Sequence, residues 1–276
     1  MLLNDSLRGR NLLRRSTLVV ALTLLAAAVP ILAQQAPSSA GPVDPALMED
    51  LVAASRILAR QGVVDAFGHV SVRHNLDPNR YLVARSLAPA LVTADDIVEY
   101  DLDSNPVNLN GRGQFSERFI HGEIYKARPD VIAVVHNHSP SVVAFSISSR
   151  PLRPVYHMPA FIGEMLKVFD IREAVGITDV LVRDAQRGRA LVEVLGDEPA
   201  VLMRGHGVAI VGDSLPLAVG RSVYLELNAR IQAQAIALGG DITYLDPGES
   251  RMLMEGGEHR GFLRAWELWK QEVSGQ

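Results

Sequence analysis

The chain has 276 residues, contains no cysteine and carries a formal net charge of −4 at pH 7. A chain without excess positive charge is not expected to bind nucleic acid. The absence of cysteine excludes disulfide bonds and thiolate metal sites, so any bound metal ion must use histidine, aspartate or glutamate.

Residues 1–33 have the pattern of a secretory signal peptide. Four arginines precede an uncharged stretch, Ser16–Ala33, with Pro30 just before a plausible cleavage point after the small residue Ala33. The pair Arg14-Arg15 fits a twin-arginine signal only loosely, which leaves the export route open. An uncleaved membrane anchor is the alternative, because about 18 apolar residues lie at the lower limit for crossing a bilayer. We expect an exported protein, periplasmic or secreted, with no stable membrane span after cleavage.

The next segment, residues 34–43, is rich in alanine, serine, proline and glutamine and predicts a flexible linker. One α/β domain is expected over residues 44–276. Its first helix should begin at Asp44-Pro45, an N-cap residue followed by a proline in the first helical position, and should stop at Gly62.

The remaining elements alternate between strand and helix patterns. Short β-prone segments separated by turn residues predict strands at 70–72, 81–83, 97–102, 131–135, 200–203 and 208–211. Capping and terminating residues predict helices over 116–127, 141–148, 214–239 and 262–273. The segment 171–195 fits either type and is left open.

Three histidines follow predicted strands. His136 and His138 end the apolar run 131–135, and residues two apart on an extended backbone point to the same side. His206 lies between two glycines after a second apolar strand and is a suitable third ligand. Three imidazoles leave coordination positions open, as in catalytic metal sites. The alternative is that all three are ordinary surface or loop histidines, which their spacing does not exclude.

Glu117 is the candidate proton-transfer group. A carboxylate beside a divalent ion can exchange a proton with a bound substrate. A glutamate in the first turn of a helix is also favoured by the helix dipole alone, and spacing leaves both interpretations open. His121 is one helical turn away on the same face, where it could at most tune the acid.

Four passages of the sequence, taken together and in this order, resemble the class II aldolase/adducin family. They are Ser116-Glu117-Arg118-Phe119-Ile120-His121, Ala127-Arg128-Pro129-Asp130-Val131, Val134-Val135-His136-Asn137-His138-Ser139-Pro140 and Met203-Arg204-Gly205-His206-Gly207. The resemblance extends over nearly all of residues 45–245.

This resemblance implies roles for particular residues and a fold. His136, His138 and His206 would be the metal ligands, and Glu117 the catalytic acid/base. The implied fold is a three-layer α/β/α sandwich around a mainly antiparallel central sheet. Members of the family are commonly cyclic tetramers with active sites between subunits, so a homotetramer is expected.

The sequence departs from the sugar-phosphate aldolases of the family at the phosphate-binding loop. Their Ser-Gly-Asn-x-Ser is replaced by Phe67-Gly68-His69-Val70-Ser71, and the Ser-Ser before the catalytic glutamate by Phe115-Ser116. Phosphate needs several convergent donors, so a phosphorylated sugar is not expected.

The candidate substrate-binding residues are Gly68, His69, Ser71, Arg85, Ser116 and His157. Arg85 could bind a substrate carboxylate with its fork of donors. The alternatives are a packing or surface role for Arg85, a backbone-bonded sheet histidine for His69 and simple packing for His157.

The sequence around His69 and Glu117 resembles the branch of the family that includes hydroxyphthalate and related hydroxy-aryl carboxylate decarboxylases. The resemblance implies a metal-dependent lyase that performs aldol-type cleavage or decarboxylation of a non-phosphorylated small molecule through a stabilised enolate. Zinc is the first choice of metal, with manganese, cobalt or iron as alternatives. An adducin-like interaction domain without activity and a sugar-phosphate aldolase or epimerase are the competing hypotheses.

Overall fold

A computed structural model describes residues 36–274. In this range the helices are α1 Pro45–Arg60, α2 Arg118–Ala127, α3 Pro140–Ser146, α4 Ile171–Val175, α5 Ala185–Leu195, α6 Leu215–Leu238, α7 Pro247–Glu255 and α8 Glu258–Val273. The strands are β1 His69–Arg73, β2 Arg80–Ala84, β3 Ile97–Asp101, β4 Ala133–Asn137, β5 Val168–Phe169, β6 Ala200–Met203 and β7 Gly207–Gly212. None of these helices combines the length and apolarity needed to cross a bilayer. The predicted signal peptide lies outside the described residues.

Helix starts follow the capping residues of the sequence in most places. The side chain of Asp44 accepts a hydrogen bond at the start of α1, and that of Ser214 does so at the start of α6. The open segment 171–195 contains two helices, α4 and α5, capped by Asp170 and Asp184.

The predicted start of α2 was wrong. Ser116 makes no capping hydrogen bond, and the helix begins two residues later at Arg118, with Glu117 in the N-cap position. The carboxylate of Glu117 does not cap the helix either, because it is bonded to another loop. Glu117 therefore lies at the end of the helix axis rather than in its first turn.

The seven strands in the described range form one sheet in the order β3-β2-β1-β4-β7-β6-β5. Every neighbouring pair is antiparallel except β5 and β6, which agrees with the expected mainly antiparallel sheet. In the register, His69 lies opposite His136, and His136 lies opposite Ala209. Residues directly opposite each other project from the same face of a sheet, so both imidazoles point to one side.

Helices cover both faces of the sheet. Apolar side chains of α1, α3, α6 and α8 form one core with residues such as Val135 and Ile210. Those of α2, α4 and α5 form a second core with residues such as Val134 and Val201. The predicted three-layer α/β/α sandwich is confirmed, and burial of both faces explains the continuous apolar run in β4.

Part of the predicted flexible linker is bonded to the sheet. The Ser39 hydroxyl donates to Glu99 of β3 at 2.7 Å, and the Ala40 N–H donates to the same carboxylate at 2.8 Å. Arg80 of β2 donates to the Ser38 carbonyl at 3.0 Å. Residues 38–40 are therefore part of the folded unit rather than a free tether.

Candidate metal centre

The three candidate histidine ligands meet where β4 ends beside the start of β7. The Nε2 atom of His138 lies 3.0 Å from Nε2 of His136 and 3.1 Å from Nε2 of His206. One ligand atom from each of these residues and from Glu117 all lie within 4.8 Å of one another. The structure thus brings together all four residues that the resemblance implied.

Backbone carbonyls fix the tautomers of two of the histidines. The Nδ1 atom of His136 lies 3.1 Å from the Val208 oxygen, and Nδ1 of His206 lies 3.0 Å from the Val180 oxygen. A carbonyl only accepts, so each Nδ1 carries the hydrogen and each Nε2 presents a lone pair to the centre. Tetrahedral zinc with nitrogen ligands at about 2.0–2.1 Å separates them by about 3.3 Å, so this donor set fits such an ion.

Glu117 faces the same centre with one oxygen. Its Oε1 accepts the Val182 N–H at 2.9 Å, while Oε2 lies 3.3 Å from Nε2 of His206 and 3.6 Å from that of His136. Burial raises the pKa of this carboxyl, but its contacts with the imidazoles of His136 and His206 lower the pKa by more. An ionised carboxylate oxygen therefore lies beside the converging nitrogens, which favours a cation between them.

The loop between α4 and α5 supplies the backbone groups that orient the site. It provides the Val180 carbonyl to His206 and the Val182 N–H to Glu117. Val180 has φ 62°, a left-handed conformation that β-branched residues rarely adopt. Sequence reasoning missed this loop because backbone hydrogen bonds leave no signature in residue type.

Gly207 allows the two strand ends to approach. A Cβ atom at this position would lie 2.0 Å from the carbonyl oxygen of Asn137, closer than any side chain permits. Only glycine can begin β7 this close to the end of β4. The approach places His206 next to His138.

A cavity of about 590 Å³ opens beside the centre. Its lining consists of Ala66, Phe67, Gly68, His69, Ser86, Leu87, Ala88, Gln114, Phe115, Ser116, Glu117, His136, His138 and Leu181. Among these described residues there is no lysine or arginine. The phenyl ring of Phe115 packs on the imidazole of His69 with 4.4 Å between ring centroids, which makes this wall of the pocket apolar and aromatic.

Comparison with known proteins identifies the family. Residues 49–233 match the family described as Class II Aldolase and Adducin N-terminal domain. The chain belongs to this family. The resemblance inferred from its motifs is thereby confirmed.

Several curated relatives of this class II aldolase and adducin family member are named as decarboxylases. The chain is 36% identical to Decarboxylase tropJ of Talaromyces stipitatus, in an alignment that covers 80% of the chain and 92% of that protein. It is 31% identical to 3,4-dihydroxyphthalate decarboxylase of Arthrobacter keyseri, with coverage of 82% and 92%. The chain is therefore an enzyme of the lyase type.

Solved structures within the family share its fold. L-fuculose 1-phosphate aldolase from Glaciozyma antarctica superposes with a TM-score of 0.68 at 25% identity, covering 84% of this chain and 93% of that one. The class II aldolase fold that the resemblance implied is thus confirmed.

Two of the predicted substrate-binding residues do not line the cavity beside the histidine centre of this class II aldolase family member. Arg85 donates from Nε to Oδ1 of Asp96 at 2.6 Å and does not line the cavity. His157 lines a separate cavity of about 140 Å³ together with Met158 and Phe262. Gly68, His69 and Ser116 do line the pocket.

Ser71 and His121 lie behind His69 rather than in the lining. The Ser71 hydroxyl is fully buried and bonds to Nδ1 of His121 at 2.6 Å. His121 was expected beside Glu117, but its Nε2 lies 2.6 Å from Nδ1 of His69. Both residues act on the pocket only through His69.

Proposed function

We propose that the protein is a metal-dependent decarboxylase of a non-phosphorylated hydroxy-aryl carboxylate. The observation that carries this proposal is a three-histidine, one-carboxylate centre at the end of a pocket walled by Phe67 and Phe115. Relatives that are named as decarboxylases support the same reaction.

The pocket lining favours an aromatic substrate over a sugar phosphate. A phosphate dianion is normally bound by several convergent donors, often from lysine or arginine. The described lining offers none of these cationic side chains, and Phe67 and Phe115 stand where the sugar-phosphate aldolases have polar phosphate contacts. Phenylalanine rings instead provide apolar surface on which a planar ring packs.

His136, His138 and His206 would hold the metal, for which zinc is the first choice. A divalent ion bound there supplies positive charge that holds neighbouring substrate oxygens and lowers the cost of the negative charge left when carbon dioxide departs. The imidazole tautomers fixed by Val208 and Val180 keep the nitrogen lone pairs directed at this point.

Glu117 would move the proton. Cleavage of the carbon–carboxylate bond releases carbon dioxide and leaves the bonding electron pair on the ring carbon, which must gain a proton. Oε2 of Glu117 can take the proton of the substrate hydroxyl and return a proton to that carbon. The Val182 N–H holds Oε1, so that Oε2 is the oxygen directed at the substrate.

The test is carbon dioxide release from 3,4-dihydroxyphthalate by protein loaded with one equivalent of zinc, manganese, cobalt or iron. We expect turnover that depends on metal and disappears in a His136→Ala/His138→Ala variant that is still folded. Cleavage of L-fuculose 1-phosphate without decarboxylation would favour the aldolase hypothesis. Failure to take up any metal, measured by mass spectrometry, would favour the interaction-domain hypothesis.

We also propose that the enzyme is exported through the signal in residues 1–33. The support is the basic head and the uncharged stretch Ser16–Ala33. N-terminal sequencing of protein recovered from outside the cytoplasm would give a new terminus at Gln34 if cleavage follows Ala33. Recovery of the intact terminus in the membrane fraction would indicate the uncleaved anchor.

A homotetramer is proposed from membership of the family. Light scattering coupled to size-exclusion chromatography measures the mass directly. A mass four times that of the chain is expected, and a monomer at micromolar concentration would contradict it.

A further inference from the structure

A network of buried hydrogen bonds extends from the pocket wall into the protein interior. Nδ1 of His69 lies 2.6 Å from Nε2 of His121, and Nδ1 of His121 lies 2.6 Å from the Ser71 hydroxyl. The Ser71 hydroxyl lies 2.8 Å from the hydroxyl of Tyr125. Ser71 and His121 are fully buried and Tyr125 nearly so, which leaves these groups with one another as partners.

Tyr125, at the buried end of this hydrogen-bond network, determines which group donates in each hydrogen bond. The Tyr125 hydroxyl lies 3.3 Å from the carbonyl oxygen of Ile132, which can only accept. When Tyr125 donates to Ile132, Ser71 donates to Tyr125, and His121 donates to Ser71 from Nδ1. His69 then donates to His121 from its own Nδ1. The opposite direction would leave the contact with Ile132 unused.

At the pocket, the hydrogen-bond network ends at Nε2 of His69. His69 lines the cavity, and this nitrogen bonds to none of the described residues and is not enclosed. Because Nδ1 carries the hydrogen, Nε2 presents a lone pair to the pocket. His69 is buried and forms no ion pair with a carboxylate of the described residues, which favours a neutral imidazole.

We propose that His69 determines substrate specificity by accepting a hydrogen bond from a hydroxyl group of the substrate, and that His121, Ser71 and Tyr125 are positioning residues that fix its tautomer. The identification of that group as a hydroxyl on an aromatic ring rests on the proposed function. A phosphate dianion or a second carboxylate has no hydrogen to donate to the lone pair on Nε2. The position that corresponds to the phosphate loop is thereby rebuilt to select a hydroxyl.

The tautomer of His69 can be measured by ¹⁵N NMR on zinc-loaded protein labelled at histidine, with the signals assigned by comparison with His69→Asn. We expect Nδ1 to be protonated and Nε2 to have the chemical shift of an unprotonated acceptor. The protons in the two 2.6 Å bonds should resonate far downfield. A protonated Nε2 would overturn the proposal. This measurement does not require turnover, so it is independent of whether decarboxylation is observed.

The variant Tyr125→Phe tests the positioning residues. Without the tyrosine oxygen, the Ser71 hydroxyl has only Nδ1 of His121 as an acceptor, which reverses both histidine bonds and moves the His69 hydrogen to Nε2. Tyr244→Phe is the control, because it removes a hydroxyl that bonds to Gln232 and takes no part in the hydrogen-bond network of His69. If Tyr125 only packs, its replacement should leave the His69 tautomer unchanged. An unchanged tautomer in Tyr125→Phe would therefore contradict the positioning role.

Ligand binding provides the second readout. Pyrogallol has three adjacent hydroxyls and catechol two, so pyrogallol keeps one hydroxyl free when two bind the metal. Zinc-loaded wild-type protein should bind pyrogallol about fivefold more tightly than catechol, the value of one neutral hydrogen bond of about 1 kcal/mol. Because a hydroxyl also accepts, the variants are compared on 3-methoxycatechol, whose methoxy oxygen cannot donate. Wild type and Tyr244→Phe should prefer pyrogallol to this ligand, and Tyr125→Phe, with its hydrogen on Nε2, should not. Equal affinities in the wild type would overturn the contact with His69.

Discussion

The backbone N–H of Val182 donates to Oε1 of Glu117 at 2.9 Å, and two residues earlier the Val180 carbonyl accepts from Nδ1 of His206 at 3.0 Å. One short turn therefore orients both the proton-transfer group and a metal ligand. Its geometry depends on the left-handed conformation of Val180. Movement of this turn would disturb both functions together.

The conformation of Val180 can be tested by glycine substitution. A residue held in an unfavourable left-handed conformation costs about 1–3 kcal/mol, which glycine relieves at an entropic cost of about 0.5–1 kcal/mol. Val180→Gly should change the free energy of unfolding by less than about 1 kcal/mol. Val182→Gly, at a fully buried position, should lower it by at least about 2 kcal/mol. Equal losses in urea denaturation would show that Val180 is not strained.

Glu117→Gln should separate proton transfer from metal binding. The amide oxygen can still accept the Val182 N–H, but the side chain can no longer take up a proton at neutral pH. We expect kcat to fall by about 10²–10⁴-fold with the metal content unchanged. Glu123→Gln is the control, because Glu123 lies on the same helix, is paired with Lys126 and does not line the pocket. Full activity in Glu117→Gln would assign the proton transfer to another group.

Metal removal should destabilise the fold measurably. A ligand present at 100 times its dissociation constant adds about 2.7 kcal/mol to the free energy of unfolding. Treatment with a chelator should therefore lower the melting temperature, and zinc should restore it. His206→Ala should respond less to zinc, whereas His157→Ala, in the separate cavity, should respond as the wild type does. A response to zinc that His206→Ala fully retains would place the metal elsewhere.

Arg85 and Asp96 should contribute to stability rather than to substrate binding. Burial raises the pKa of Asp96, but hydrogen bonds from Thr93 and Arg85 lower it by more, so the folded-state pKa is below the usual value. A lowered carboxyl pKa stabilises the fold above the unfolded-state pKa of about 3.9, and this stabilisation is lost as the pH falls from there through the folded-state pKa.

We expect Asp96→Asn to lower the free energy of unfolding by about 1 kcal/mol at pH 7, with a smaller difference below about pH 4. Denaturation at several pH values measures this trend. Arg85→Ala should leave KM unchanged. A tenfold rise in KM for Arg85→Ala would restore Arg85 as a substrate contact.

The metal centre was predictable because its signals are local. His136 and His138 are two residues apart on an apolar strand, and His206 lies beside a glycine that the strand packing requires. Residue type and spacing therefore pointed to the ligands and their strands, and the family resemblance decided between metal ligands and ordinary surface histidines.

The surroundings of the centre were not predictable from local patterns. Ser71 and His121 are 50 positions apart, and only the packing of α2 on β1 brings them together. The turn at Val180–Val182 acts through a backbone carbonyl and N–H, which residue type does not reveal. The start of α2 was also misplaced, because Ser116 makes no capping hydrogen bond and Glu117 takes the N-cap position.

The hydrogen-bond network behind His69 constrains how the sequences of the family can diverge. Replacement of His69 alone would leave a buried nitrogen of His121 without a partner, at a cost of about 1–3 kcal/mol. Positions 69, 71, 121 and 125 are therefore expected to be inherited as a set. Relatives that recognise a different substrate group should have exchanged several of these four residues together, and single exchanges should be rare among functional sequences.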